Sequence, residues 1–158
     1  MFALLFCLSF SSKASALDAG SPAPDFELPA TQGTVKLSNN SGSVVYLDFW
    51  ASWCGPCKQS FPWLNEIQQK FGIKGLKVIA VNLDAKNEDA LKFLAQIPAE
   101  FPVAFDPKGA TPDSYGIMGM PASFLIGKDG KIIFRHLGFR ESDREDLEKQ
   151  IEKALESK

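Results

Sequence analysis

The run Val44-Val-Tyr-Leu-Asp-Phe-Trp50 is apolar at every position but Asp48. A stretch without alternation suits a central strand covered on both faces, and Leu76 to Leu83 (LKVIAVNL) repeats the pattern. Between the two, Phe61, Leu64, Ile67 and Phe71 recur at helical spacing, with Pro56 in the first turn and Gly72 at the end. Pro62 falls inside that helix, where it removes an amide donor and predicts a kink. Asn87 is a candidate cap for a second helix, in which Ala90, Leu91, Leu94 and Ile97 share a face. Val103 to Phe105 suits a short strand, and Thr111-Pro112 the cap and first position of a short helical turn. Ser123 to Ile126 and Lys131 to His136 flank Gly127-Lys-Asp-Gly130, a hairpin signal. Ser142 with Glu145 predicts a capping box that opens a terminal helix lined by Leu147, Ile151 and Leu155.

Upstream of these elements the pattern is weaker. Ser21 to Pro29 (SPAPDFELP) is proline-rich and extended, Gly33 to Leu37 suits a short edge strand, and Asn39 to Ser43 is a turn cluster. Strands that alternate with helices, followed by a hairpin and a last helix, make an α/β layered domain. At 158 residues the chain has room for one domain with one sizeable core.

The first sixteen residues differ in kind. The short apolar run Phe2 to Phe10 leads through small and polar residues to Ala14-Ser15-Ala16, which predicts a secretory signal peptide over residues 1–16 and a folded domain over 17–158. No Lys or Arg precedes the apolar run, which is the one feature at odds with that reading; the alternative is a buried N-terminal extension. Cleavage after Ala16 would remove Cys7 and leave Cys54 and Cys57, too few for a disulfide framework, so stability must come from the core. An exported chain of this kind is expected in the periplasm or an equivalent oxidising compartment, with membrane tethering left open.

Composition adds little beyond exclusions. The chain is 45% hydrophobic and 23% charged, with a formal net charge of -2. Interspersed acids and bases give no electrostatic case for nucleic acid or an anionic membrane surface.

The chemistry sits in Asp48-Phe-Trp-Ala-Ser-Trp-Cys-Gly-Pro-Cys57. Structural zinc needs four ligands, and the chain has no second close cysteine pair and one histidine, His136. Copper delivery would need His136 beside the thiolates, although it lies far along the chain on a predicted strand. A disulfide across so short a loop stabilises little. Redox exchange is the reading with positive support. Cys54 lies where a strand ends and a helix begins, so helix amides and the macrodipole favour its thiolate. Gly55 leaves room for a partner chain, Pro56 stiffens the turn, and the thiol of Cys57, one turn on, can attack a mixed disulfide. Trp50 suits the core; Trp53, next to the nucleophile, suits the rim of a contact surface.

WCGPCK, the preceding DFW and the distant Gly119-Met120-Pro121 together resemble the thioredoxin superfamily. The lead-in GSPAPDFEL, the segment WCGPCKQSFP, an inserted helix and strand between Leu83 and Asp106, and GIMGMPASFLIGKDGKI resemble more narrowly the exported TlpA/ResA-type thiol-disulfide oxidoreductases. The resemblance covers nearly all of residues 20 to 156. It implies a thioredoxin fold, a central mixed β-sheet flanked by helices, with an N-terminal extension and an inserted helix-strand element. It implies that Cys54 attacks and Cys57 resolves, without a cofactor or metal. It also implies a cis Pro121 facing the cysteines, with Met120 offering its backbone to the substrate in strand-like pairing.

By the same resemblance the work is reduction of disulfides in exported proteins, apocytochrome c among them, by a monomer supplied with electrons from a membrane thiol carrier. A disulfide oxidase or isomerase, a peroxidase of related fold and a copper-binding chaperone are the alternatives.

Two positions depart from the exported relatives. Ser60 stands where they often carry glutamate, and Asp48 matches the buried aspartate of thioredoxin where they often carry asparagine. The lysine that commonly accompanies that acid is replaced by Ala80. A carboxylate buried without a cation should have a raised pKa, which fits Asp48 to accept the proton of Cys57 near neutrality.

Overall fold

The computed structural model describes residues 17–157. The predicted signal peptide at 1–16 therefore lies outside the described residues. Two short strands, β1 (Glu27–Pro29) and β2 (Thr34–Lys36), pair antiparallel at the start, and a 3-10 turn over Leu37–Asn40 follows. The main elements are then β3 (Val44–Trp50), α1 (Gly55–Gly72), β4 (Leu76–Asn82), α2 (Asn87–Gln96) and β5 (Val103–Phe105). A short α3 (Ala110–Ser114), the hairpin β6 (Ala122–Ile126) and β7 (Ile132–Leu137), a 3-10 turn (Glu141–Asp143) and α4 (Arg144–Glu156) complete the chain.

The main sheet has the order β5-β4-β3-β6-β7. β3, β4 and β5 run parallel, while β6 and β7 are antiparallel, so the sheet is mixed. β3 is its centre and is buried at all positions, as its unbroken apolar pattern requires. Because side chains alternate across a strand, Val44, Tyr46 and Trp50 enter one core cluster and Val45, Leu47 and Phe49 another. The first cluster takes its helical residues from α1, α2 and α4. The opposite face has no long helix against it. It is covered instead by Tyr115, by Ile117 and by the lead-in residues Leu17, Ala23, Phe26 and Leu28.

The lead-in is held as an additional edge. Gly20 N–H donates to Ile132 O at 2.7 Å, Ile132 N–H to Ser21 O at 2.9 Å, and Ala23 N–H to Gly130 O at 3.0 Å. The Tyr115 hydroxyl donates to Pro24 O at 2.7 Å.

Helix starts are where sequence and structure part. Asn87 is the first residue of α2 rather than its cap; Lys86 takes that place without a side-chain bond, and Glu88 and Asp89 meet the helix dipole. α3 begins one residue before Thr111, because the acceptor comes from upstream: the Asp106 carboxylate takes the amides of Gly109 and Thr111. Ser142 and Glu145 form no capping box. Asp143 accepts from the Arg140 amide at 3.0 Å, and Glu145 pairs with Lys149. α1 runs on through Pro62 to Gly72, and the left-handed residue after it is Gly75, with φ of 103°.

Candidate active site

Cys54 holds the N-cap position of α1, with extended backbone, immediately after the buried strand β3 and its turn. Its sulfur accepts a hydrogen bond from the Cys57 amide at 3.3 Å, which directs the first turn of the helix at it. Cys54 and Cys57 are joined as a disulfide, with their Cα atoms 5.3 Å apart. Cys54 is 5% exposed and Cys57 0%, so an incoming sulfur can reach the first and not the second. Pro56 lies in the first turn, and a Cβ added to Gly55 would meet nothing within 4 Å, which leaves the approach to the disulfide open. Trp50 is fully buried, whereas Trp53 is 72% exposed, as expected of a rim residue.

The Met120–Pro121 peptide bond is cis. Met120 packs against the apolar cluster that contains both cysteines, and Pro121 O accepts the Gly138 amide at 2.8 Å, which ties this turn to the end of β7.

Asp48 lies two residues before Trp50, the end of the apolar run, and is 1% exposed. Tyr46 and Trp50, two residues to either side, belong to the cluster containing Cys57, so Asp48 projects toward that same α1-covered face. Its cross-strand partner on β4 is Ala80, which supplies no compensating charge. Its Oδ1 accepts from the Ser123 hydroxyl at 2.9 Å, while Oδ2 is buried without a hydrogen-bond partner. Burial pushes the carboxyl up from its ordinary value to about 7, against the opposing hydrogen bond from Ser123. Ser60, at the other departure, is buried and spends its hydroxyl on Cys57 O at 3.0 Å.

Two contributors went unnoticed in the sequence. One is Ser123. The other is Asp84, 3% exposed, whose carboxylate takes the Ser52 amide and hydroxyl, each at 3.0 Å, and the Asn82 side-chain amide at 2.8 Å. This clamp fixes the turn that delivers Trp53 and Cys54. The signal for both was available only as a polar residue next to a buried run, Ser123 within ASFLI and Asp84 after LKVIAVNL. Asp84→Ala leaves several of these donors unsatisfied and is expected to destabilise the protein by about 2–3 kcal/mol, read by denaturant unfolding. An unchanged midpoint would show that the clamp is dispensable.

His136, the residue a copper site would need, lies on β7 with its Nε2 3.3 Å from Asp143 Oδ2. Among the described residues no cluster of three or more His, Cys, Asp or Glu side chains is placed to hold a metal ion.

The chain is similar to known proteins over nearly all of its described length. The Redoxin family model matches residues 18–151. The chain belongs to the Redoxin family. Within the thioredoxin superfamily it is TlpA/ResA-like, and its activity is that of a thiol-disulfide oxidoreductase. It is 36% identical over 145 residues to the thiol-disulfide oxidoreductase ResA of Bacillus cereus, covering 91% of this chain and 83% of that one. To ResA of Bacillus subtilis it is 34% identical, covering 78% and 69%. Among solved structures, a candidate thiol:disulfide interchange protein DsbE from Chlorobium tepidum superposes with a TM-score of 0.87 at 65% identity, over 89% of this chain and 99% of that one.

Proposed function

We propose that this oxidoreductase works as a reductant of disulfides in exported proteins. The reading is carried by the surroundings of Cys54. The hydrogen bond found at its sulfur is a backbone amide of the helix N-terminus, and the intervening Gly55-Pro56 has no side-chain donor. A strong oxidant has an unusually stabilised thiolate, and a thiolate favoured by the helix end alone leaves the dithiol more reducing.

In the forward half-cycle the Cys54 thiolate attacks one sulfur of a client disulfide. A mixed disulfide forms and the first client thiolate leaves. Cys57 gives its proton to Asp48, attacks the Cys54 sulfur, and releases the second client thiolate. The client gains two electrons and the protein loses them, ending as the Cys54–Cys57 disulfide, which a donor must reduce before the next turnover. Asp48 supports this role through its burial, its free Oδ2 and its position on the Cys57 side of the sheet. Trp53, Gly55 and Pro56 would form the rim, and Met120 with cis-Pro121 would present backbone to an extended client segment.

The client class is that of exported proteins with accessible disulfides, the haem-attachment cysteines of apocytochrome c being one case, and the donor is a membrane thiol carrier. The protein would act as a periplasmic or otherwise exported monomer, free or tethered; among the described residues no helix is long and apolar enough to cross a membrane. Equilibration against a thiol redox buffer tests the direction. A potential near ~−270 mV is expected, and one near ~−120 mV would assign the protein to the oxidants instead.

A further inference from the structure

Asp48 is one member of a row. Ala80, Asp48, Ser123 and His136 lie side by side across β4, β3, β6 and β7, so their side chains share the sheet face covered by α1 and α4. On one side the row is closed by apolar Ala80 and Val103. On the other it continues through exchangeable groups to the surface. Ser123 is 3% exposed and donates to Asp48 Oδ1 at 2.9 Å. His136 is the direct antiparallel partner of Ser123, an arrangement that brings Cβ atoms to about 5 Å. The His136 side chain is 26% exposed, yet its Nε2 is buried, has no hydrogen-bond partner, and lies 3.3 Å from Asp143 Oδ2.

The groups around the row are few. Tyr46, two residues before Asp48, sets its phenol beside the Ser123 hydroxyl; burial above all, then the charges of Asp48 and Asp143, keep that phenol protonated. α1 contributes apolar residues and Cys57 to this face. From α4 and the preceding turn come Asp143 and Asp146, which with Phe134, Leu147 and Gln150 line a surface cleft at His136. The row thus runs from the buried carboxyl, through a hydroxyl and an imidazole, to an acid-lined opening.

We propose that Ser123 and His136 are the proton exit from Asp48, carrying to solvent the proton that Cys57 gives up in each turnover. The inference rests on the proposed role of Asp48 as the base for Cys57. After resolution the Asp48 carboxyl holds that proton. It passes to Ser123 Oγ as the Ser123 hydroxyl proton moves to the His136 imidazole through a bridging water, since Ser123 and His136 make no direct hydrogen bond, and the imidazole releases a proton toward Asp143 and water. No electrons move, one O–H bond forms as another breaks, and Asp48 is left as a carboxylate accepting from Ser123. That final arrangement is the one the disulfide form displays. Ser123 and His136 act through Asp48 and are positioning and relay groups.

The test is turnover of a single-disulfide peptide with dithiothreitol as donor. His136→Ala should lower kcat at pH 7 by about tenfold with KM unchanged, and added imidazole should restore the rate, as expected for a lost proton carrier. Wild-type kcat, or a loss that imidazole does not relieve, overturns the relay. Ser123→Ala should show a similar fall and Ser123→Thr, which keeps the hydroxyl, should recover it. The wild-type protein gives a check independent of any variant: its kcat across H2O–D2O mixtures should bow downward, marking several protons in transit, and a straight line overturns the proposal. Asp48→Asn run alongside separates the two claims. If it is slow while His136→Ala is normal, the relay alone fails; if Asp48→Asn is itself normal, the base fails and the relay with it.

Discussion

Cys57→Ser is expected to arrest the protein on its client, with a mixed disulfide at Cys54 that persists, while Cys54→Ser forms none. Turnover should fall to the uncatalysed background in both, but for different reasons. Cys54 is the sulfur that solvent and client can touch, and Cys57 is fully enclosed behind it. Without Cys54 there is no attack; without Cys57 there is no release. Non-reducing electrophoresis with mass spectrometry of the trapped species reads the result and identifies the partner, client or electron donor. A covalent adduct on Cys57 in the Cys54→Ser chain would reverse the assignment of the two thiols.

The second large effect concerns Asp48→Asn, and it has opposite signs for rate and stability. As the base for Cys57, Asp48 should be worth about a hundredfold or more in the rate of mixed-disulfide resolution near neutral pH. Resolution at the wild-type rate would remove Asp48 from the mechanism. Stability moves the other way. Burial raises the folded carboxyl to about 7, well above its ordinary value of 3.8. Between those values the folded state binds the proton more firmly than the unfolded chain, so stability declines as pH rises through this window and levels off above 7. The accumulated cost is at most about 4 kcal/mol. Asp48→Asn should therefore match the wild type near pH 4, exceed it increasingly up to about pH 7, and keep a constant advantage above that, as read by denaturant unfolding of the oxidised protein across pH. A pH-independent difference would mean that Asp48 is not the titrating group.

The sequence conveyed elements whose cause is local and missed contacts whose cause is distant. β3 and α1 were readable because an unbroken apolar run and a helical repeat sit next to each other, and Asp48 stood out as the single charge in that run. The cis bond at Pro121 came through resemblance, since nothing local distinguishes Met120-Pro121 from an ordinary turn. Ser123 could not be placed, because a strand hydroxyl acquires meaning only from the strand beside it. Register puts Ser123 opposite Asp48 on one side and His136 on the other. The helix caps failed for a related reason. Thr111 and Ser142 had the right chemistry, but the carboxylates of Asp106 and Asp143 claimed the same neighbourhoods first. Sequence offers several competent acceptors near each helix start, and geometry chooses among them.

The lead-in that covers the helix-poor face carries a consequence for how the chain is made. Residues around Gly20 to Ala23 are synthesised early, yet their hydrogen-bond partners, Gly130 and Ile132, belong to the last hairpin. Until β7 exists, the apolar face of β3 and β4 is covered only in part, by Tyr115 and Ile117, and residues 20–23 lack the hairpin edge to which they bond. Pairings so distant along the chain form slowly because loop closure must precede their reward. Closure of this face thus comes late, when the hairpin docks the lead-in, and a chain interrupted before the hairpin would leave much of that sheet face uncovered.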